Sequence, residues 1–233
     1  MPPSRLPLLL SAALLCLHAG HAAAQDANPA PGEYIFERGS GALNVKAGGA
    51  FDINTIGANA HTCQLDGRIV GGKAKLADSP CVVDFKTSGA TVVVSTNGAD
   101  QCRDNCGMRA TFEGTYTRPS PACTTAAVAA TRKRFKQQYD AKDYTGAQTT
   151  LSPVLADCAP VLDWLSTGRI RNDLALAQYR AGDKAACLKT LQPLADDAAA
   201  SDDDIRNGYP PSDADSYLPI VKSTRFNLKM CRG

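Results

Sequence analysis

Eight cysteines lie beyond residue 24 of this 233-residue chain: Cys63, Cys81, Cys102, Cys106, Cys123, Cys158, Cys187 and Cys231. Whether they are metal ligands, redox centres or covalent staples depends on compartment, and the N-terminus speaks to that. Arg5 is followed by the apolar run "LPLLLSAALLCL", and Ala22 and Ala24 are the small residues before Gln25. This pattern predicts a secretory signal peptide over 1–24, cut before Gln25. Cys16 sits after Leu15 within the apolar run, where a lipoprotein signal would want a small residue, so lipidation is not expected. An even number of cysteines in an exported chain predicts a disulfide framework. No later segment approaches the ~20 apolar residues of a membrane span. The mature chain is expected to be soluble and periplasmic or secreted.

The cysteines fall four and four on either side of "TRPSPAC", and the texture changes at the same point. After a Pro/Ala-rich leader expected to be disordered (25–33), residues 34–117 alternate apolar and polar residues, broken by Ser-Gly and Asn-Gly turns. Short strands at this spacing predict a small antiparallel barrel or sandwich. Residues 118–122 are expected as a linker, and 123–233 turn Ala- and Leu-rich with helical periodicity. The fold class expected is α+β, a stapled β domain followed by an all-α domain.

The helical half repeats itself. "QYDAKDYTGAQTTLSPVLAD" (138–157) aligns with "QYRAGDKAACLKTLQPLADD" (178–197), matching at Gln138/Gln178, Tyr139/Tyr179, Asp143/Asp183, Leu151/Leu191 and Pro153/Pro193. Each copy reads as a helix end, a tight turn and a second helix. This resembles the tetratricopeptide helical hairpin, with a period of 40 rather than the usual ~34 residues. The resemblance concerns architecture and implies a capping helix in "DADSYLPIVKSTRFNLKMC", despite Pro219. The β half, with "HTC" and "CGMRATFEGTY", is similar to uncharacterised exported stapled β domains of proteobacteria, which carry no known activity.

Geometry suggests pairings. Cys123 opens one helix of a hairpin and Cys158 closes the other, so their ends should meet; Cys187 would then tie Cys231 at the chain end. In the β half a hairpin at Gly71-Gly72 would set Cys63 opposite Cys81, leaving Cys102 with Cys106, although four cysteines allow three connectivities. The competing uses are zinc held by His61, Cys63, Cys102 and Cys106, and thiol redox chemistry, which favours C-x-x-C over the C-x-x-x-C found here.

Catalytic chemistry has little to work with. His61 is the only histidine outside the signal, so multi-histidine metal catalysis is excluded and a triad would have to use this one imidazole. Glu113, flanked by aromatics, is a candidate carboxylate acid, against its reading as the outward alternate of a strand. Asp202–Asp204, Asp213 and Asp215 could bind calcium but lack EF-hand spacing, and capping of helices is the expected use. "TRKRFK" (131–136) is expected to be a solvated face. Trp164 is the sole tryptophan, read as core of the repeat or as an interface anchor. No phosphate loop or nucleotide fingerprint is present, and no cofactor is expected. Removing Arg5 with the signal leaves 24 Lys and Arg against 23 Asp and Glu, which argues against nucleic acid or anionic lipid as partner.

A stapled β domain joined to helical hairpins suits a non-catalytic role, with another exported protein as partner. Its most specific form is an inhibitor or immunity protein for a lysozyme-like cell-wall hydrolase. One periplasmic inhibitor family enters its target through a Ser-Gly-x-x-Tyr loop. Here Ser40-Gly41 and Ser88-Gly89 lack that tyrosine. The alternatives are an envelope scaffold for assembly or secretion, and a carbohydrate-active hydrolase using carboxylates. Candidate interaction residues are His61, Glu113 and Trp164.

Overall fold

A computed structural model describes residues 28–233. The expected signal peptide and residues 25–27 of the leader lie outside them. Strands β1 (Gly32–Phe36), β2 (Gly41–Val45), β3 (Ala50–Ile56), β4 (Thr62–Arg68), β5 (Lys73–Lys75), β6 (Val82–Ser88), β7 (Thr91–Thr96) and β8 (Gly114–Thr117) form one antiparallel sheet in the order β4-β3-β2-β1-β8-β7-β6-β5. The two meanders are joined where β1 pairs with β8, Phe36 opposite Tyr116. The outer strands β4 and β5 are consecutive and connect through the Gly71-Gly72 turn, with Val70 bridging Lys73. The sheet therefore curls into a nearly closed barrel. Its curvature brings Phe51 of β3 and Phe85 of β6 edge to face at 5.0 Å, although four strands separate theirs in the sheet order.

Alternation builds the barrel core. Phe51, Ile53 and Thr55 of β3 point inward between outward neighbours. Thr55 is tolerated there because its hydroxyl donates to the Thr111 carbonyl at 2.7 Å. Tyr34 and Tyr116 are also buried, and each hydroxyl donates to a carbonyl four residues upstream, Ala30 and Phe112, at 2.8 Å.

The leader is not disordered from Asn28 onward. Asn28 donates to the Ile69 carbonyl and accepts from Gly72 N–H, and Gly32 and Glu33 already belong to β1. The expected linker is tied down as well: the Arg118 guanidinium donates to the Ala30 and Pro31 carbonyls and lies 4.5 Å from the Tyr34 ring centroid.

The helices are α1 (Thr125–Asp140), α2 (Tyr144–Asp157), α3 (Trp164–Arg180), α4 (Lys184–Leu191), α5 (Ala195–Ala199), α6 (Asp202–Gly208) and α7 (Pro211–Arg232). The sequence repeat is a repeat of hydrogen bonds. Asp143 and Asp183 cap α2 and α4, accepting from Gly146 and Ala186 N–H, and their own N–H groups donate to Gln138 and Gln178. Lys142 (φ 62°) and Gly182 (φ 88°) occupy the same left-handed turn position. The copies diverge after their prolines: α2 continues through Pro153, whereas α4 stops and a tight 3-10 turn runs through Pro193.

Helix α7 closes the layer against α3 through a buried polar ladder. The Asn172 amide donates to Thr224 Oγ1 at 2.9 Å, and the Asn227 amide donates to Asn172 Oδ1 at 3.0 Å. With every member bonded, the ladder fixes how α7 lies on α3.

Cys123–Cys158 links the ends of the first hairpin and Cys187–Cys231 ties the first turn of α4 to the end of α7, as geometry suggested. The β-half pairings are different: Cys63 joins Cys106, and Cys81 joins Cys102. The hairpin at Gly71-Gly72 exists but is too short to bring Cys63 to Cys81. The β4 strand carrying Cys63 pairs along its length with β3, while Cys81 immediately precedes β6. A 3-10 turn over Asp100–Asn105 then separates Cys102 from Cys106 and sends them to different partners. These bonds occupy every thiol of the alternative zinc set. Four intramolecular disulfides fit an oxidising compartment outside the cytoplasm. Among the described residues no helix is long and apolar enough to cross a membrane.

Candidate functional site

The barrel and the helical layer have separate apolar cores, one ending at Tyr116 and the others beginning at Cys123. Polar and backbone contacts at the starts of helices hold them together. Glu33 of β1 accepts from both Thr125 N–H (3.2 Å) and its hydroxyl (2.6 Å) at the first residue of α1. Gly39, between β1 and β2, lies directly against the Leu162–Asp163 backbone before α3; a Cβ there would fall 2.2 Å from Asp163 N. Asn59, after β3, exchanges hydrogen bonds with Ser212 and Asp213 in the first turn of α7.

Between these contacts a cleft of about 1310 Å³ remains. Its barrel wall is the turn Glu37–Gly41 and the end of β3. Its helical wall is the N-terminal half of α3, with Tyr209 and Tyr217 beside it. Ile56 on the barrel side and Trp164 on the helical side are 58% and 44% exposed, two large apolar side chains left open in one cleft. Trp164 is held rigidly. Tyr209 stacks on it at 5.5 Å with planes 6° apart, and Tyr217 abuts it at 4.8 Å. Both phenols donate to Asp197, Tyr209 at 3.4 Å. Burial, with the adjacent Asp197 charge, disfavours the phenolate and raises the pKa of both tyrosines above the ordinary value.

The charged lining divides by partner. Glu37 accepts from Thr115 N–H at 3.0 Å, Asp163 caps α3 by accepting from Ser166 N–H at 2.8 Å, Asp197 holds the tyrosines, and Asp213 accepts from Asn59 N–H at 3.1 Å. Arg132 pairs with Asp173 at 3.3 Å, where burial raises the Asp173 carboxyl against the pull of that arginine. Arg171 donates to the Thr190 carbonyl at 3.1 Å. Arg38 and Arg169 are exposed and belong to no ion pair among the described residues.

Of the interaction candidates read from sequence, only Trp164 lines the cleft, and it is an exposed wall rather than core of the repeat. His61 packs its ring over Gly107, where a Cβ would meet Nδ1 at 2.5 Å. Glu113 is exposed but stands one residue before β8 rather than within a strand, accepting from Thr96 N–H and hydroxyl at 3.0 and 3.2 Å. Four of the five aspartates considered for calcium are committed to the protein: Asp202 to Lys222 and Arg225, Asp204 to a capping box with Ser201, Asp213 to Asn59 and Asp215 to Arg206. In the basic run, Arg132 pairs with Asp173 and Lys136 with Asp140. Sequence reasoning missed Ile56, Arg38, Arg169, Tyr209, Tyr217 and Asp197. The only signal for the tyrosines was their flanking of the prolines and aspartates in "YPPSDADSY".

Comparison with protein-family models, curated proteins and solved structures finds no match to this chain.

Proposed function

We propose that this chain is an exported, non-catalytic binding protein that holds an extended segment of another exported protein between its barrel and its helical layer. The observation that carries the reading is the pairing of exposed Ile56 and rigid Trp164 in one cleft with unpaired arginines. Trp, Tyr and Arg dominate binding energy at protein interfaces. The volume, about 1310 Å³, exceeds the ~300–1,000 Å³ of small-molecule pockets, which favours a length of chain over a metabolite.

The hydrolase alternative has less support. The four carboxylates in the cleft each already accept a hydrogen bond from the fold, Glu113 is tied to Thr96 outside it, and among the described residues no histidine lines it. The most specific form of the binding reading is inhibition of a cell-wall hydrolase, in the periplasm or outside the cell.

The test is capture from an envelope extract by the oxidised protein beside Trp164→Ala. A partner retained by the native protein and lost by the variant is the expected result, and a muramidase assay then tests inhibition. A partner held equally by both binds elsewhere and overturns the assignment of the cleft. Cleft-dependent recovery of assembly components would make the protein a scaffold rather than an inhibitor.

A further inference from the structure

We infer that the segment entering the cleft is acidic and apolar, with carboxylates against Arg38 and Arg169 and an apolar side chain on the open face of Trp164; this rests on the binding role proposed above. The arginines supply the charge argument. Every carboxylate in the cleft has a donor from the fold, and Arg132 and Arg171 have acceptors. Four arginines and four carboxylates line the cleft, and among the described residues Arg38 and Arg169 are the two of these arginines without an acceptor from the fold. A guanidinium presents its N–H groups as a planar fork that matches a carboxylate in two parallel hydrogen bonds.

Arg38 also sits at φ 56°, in the left-handed region that L-residues other than Asn and Asp seldom adopt. Its neighbour Gly39 is fixed against Asp163, so the turn projects from the docking point of the two layers. A glycine or asparagine would occupy that backbone at less cost.

The aromatic group discriminates between apolar and cationic occupants. A cation cage needs rings standing apart around an opening. Trp164, Tyr209 and Tyr217 touch one another at 4.8–5.5 Å and fill that space themselves. They form a platform, with the indole braced from behind and one part of it open. An apolar side chain laid on it loses water at no cost in reorganisation of the platform.

Trp164 is the only tryptophan in the chain, so its emission reports on this one place. The oxidised mature protein is titrated with short peptides carrying Leu or Phe between aspartates, with the same peptides carrying lysines, and with an N-acetylglucosamine oligomer. The expected result is a saturable emission change with the acidic peptides alone. Salt weakens it, and R38E with R169E weakens it about tenfold or more while circular dichroism stays native. An equal response to lysine peptides, or a response to the oligosaccharide alone, overturns the inference. So does silence toward all three probes. If a partner is still captured in a Trp164-dependent way, the cleft remains a binding site and only the acidic chemistry fails; if none is, the binding role fails with it.

Discussion

The backbone N–H of Asn59 donates to Oδ2 of Asp213 at 3.1 Å across 154 residues of sequence, and the Asn59 carboxamide oxygen accepts from Ser212 N–H at 3.1 Å. A turn of the barrel thus caps α7, whose own N-cap, Pro210, has no side-chain acceptor. Asn59 does this from φ 58°, a conformation asparagine tolerates better than most residues. Two costs can therefore be separated. Asn59→Gly removes the carboxamide acceptor of Ser212 N–H but suits the backbone, and should cost about 1 kcal/mol. Asn59→Ala removes the cap and adds about 1–2 kcal/mol of left-handed strain. Denaturant midpoints falling in the order native, Gly, Ala are expected; equal midpoints for Ala and native would remove the cap from the account of how the layers dock.

Gly39 and Gly89 form a controlled comparison. Both have positive φ, 73° and 57°, so alanine meets similar backbone strain at each. At Gly89 nothing lies within 4 Å of the added Cβ, and the loss should be about 1–2 kcal/mol. At Gly39 the Cβ falls 2.2 Å from Asp163 N and 2.4 Å from Leu162 C, both backbone atoms, so the layers must part. Gly39→Ala should lose clearly more stability than Gly89→Ala and become sensitive to protease between Arg118 and Thr124. Matching losses would mean the close approach has no energetic weight.

The disulfides predict a specific peptide map. Non-reducing digestion followed by mass spectrometry should link Cys63 to Cys106 and Cys81 to Cys102, with no Cys63–Cys81 species. Replacing Cys187 and Cys231 by alanine opens a loop of sequence separation 44, worth about 4 kcal/mol in the chain-entropy account. The end of α7 should then exchange its amide hydrogens faster, while the barrel is unaffected. Uniform loss of protection in both layers would show that they unfold as one unit.

What was legible in the sequence follows the range of the interactions. The helical pairings could be read because a hairpin of known period returns to its own start, and Cys123 and Cys158 mark those ends. The barrel pairings depend on register: Cys63 stands opposite Thr55 on β3, a choice that alternation alone does not make. Asn59 and Gly39 act through contacts more than 120 residues distant in sequence, so nothing around them in "GANAHTC" or "FERGSG" reveals the role. For Trp164 the sequence leaves core and exposed wall both open, because it is the first residue of α3, ahead of the stretch whose periodicity faces the core. The acidic stretch near Tyr209 reads as helix-capping aspartates, and Asp204 does join the capping box of α6, whereas the pairs of Asp202 with Lys222 and Arg225 and of Asp215 with Arg206 depend on partners dispersed in sequence.

Asp202 and Asp204 set an acid limit on the helical layer. Hydrogen bonds from Arg225 and Lys222 hold Asp202 below the ordinary aspartate value of 3.8, and Ser201 does the same for Asp204. With the folded pKa depressed, the native state binds fewer protons than the unfolded state between the two values. Their contribution is therefore complete above the unfolded pKa, near ~3.9, and is lost as pH falls through the folded one. Asp173, which burial raises, works in the opposite direction and gains on protonation. Asp202→Asn should flatten the loss of stability between about pH 4 and 2 relative to native protein, as measured by denaturant titrations across that range. An unchanged slope would mean the Arg225 pairing does not persist in solution.

Asp197 is the support on which the cleft's aromatic wall depends. It accepts from Tyr217, which is buried, and from Tyr209, which stacks on Trp164. Removing its charge while keeping an acceptor, in Asp197→Asn, should lower the pKa of Tyr217, because a nearby anion opposes phenolate formation. The value should remain above that of a free phenol, since burial is the larger cause. Trp164 emission should hardly move in that variant. Asp197→Ala instead strands two hydroxyls, one of them buried, at a cost of about 1–3 kcal/mol. Its indole should loosen, with emission shifting to the red and peptide affinity falling. Tyrosinate absorbance titration and fluorescence together check this. If alanine and asparagine variants behave alike in both, the carboxylate is not what fixes the platform, and the rigidity of Trp164 has to come from ring packing alone.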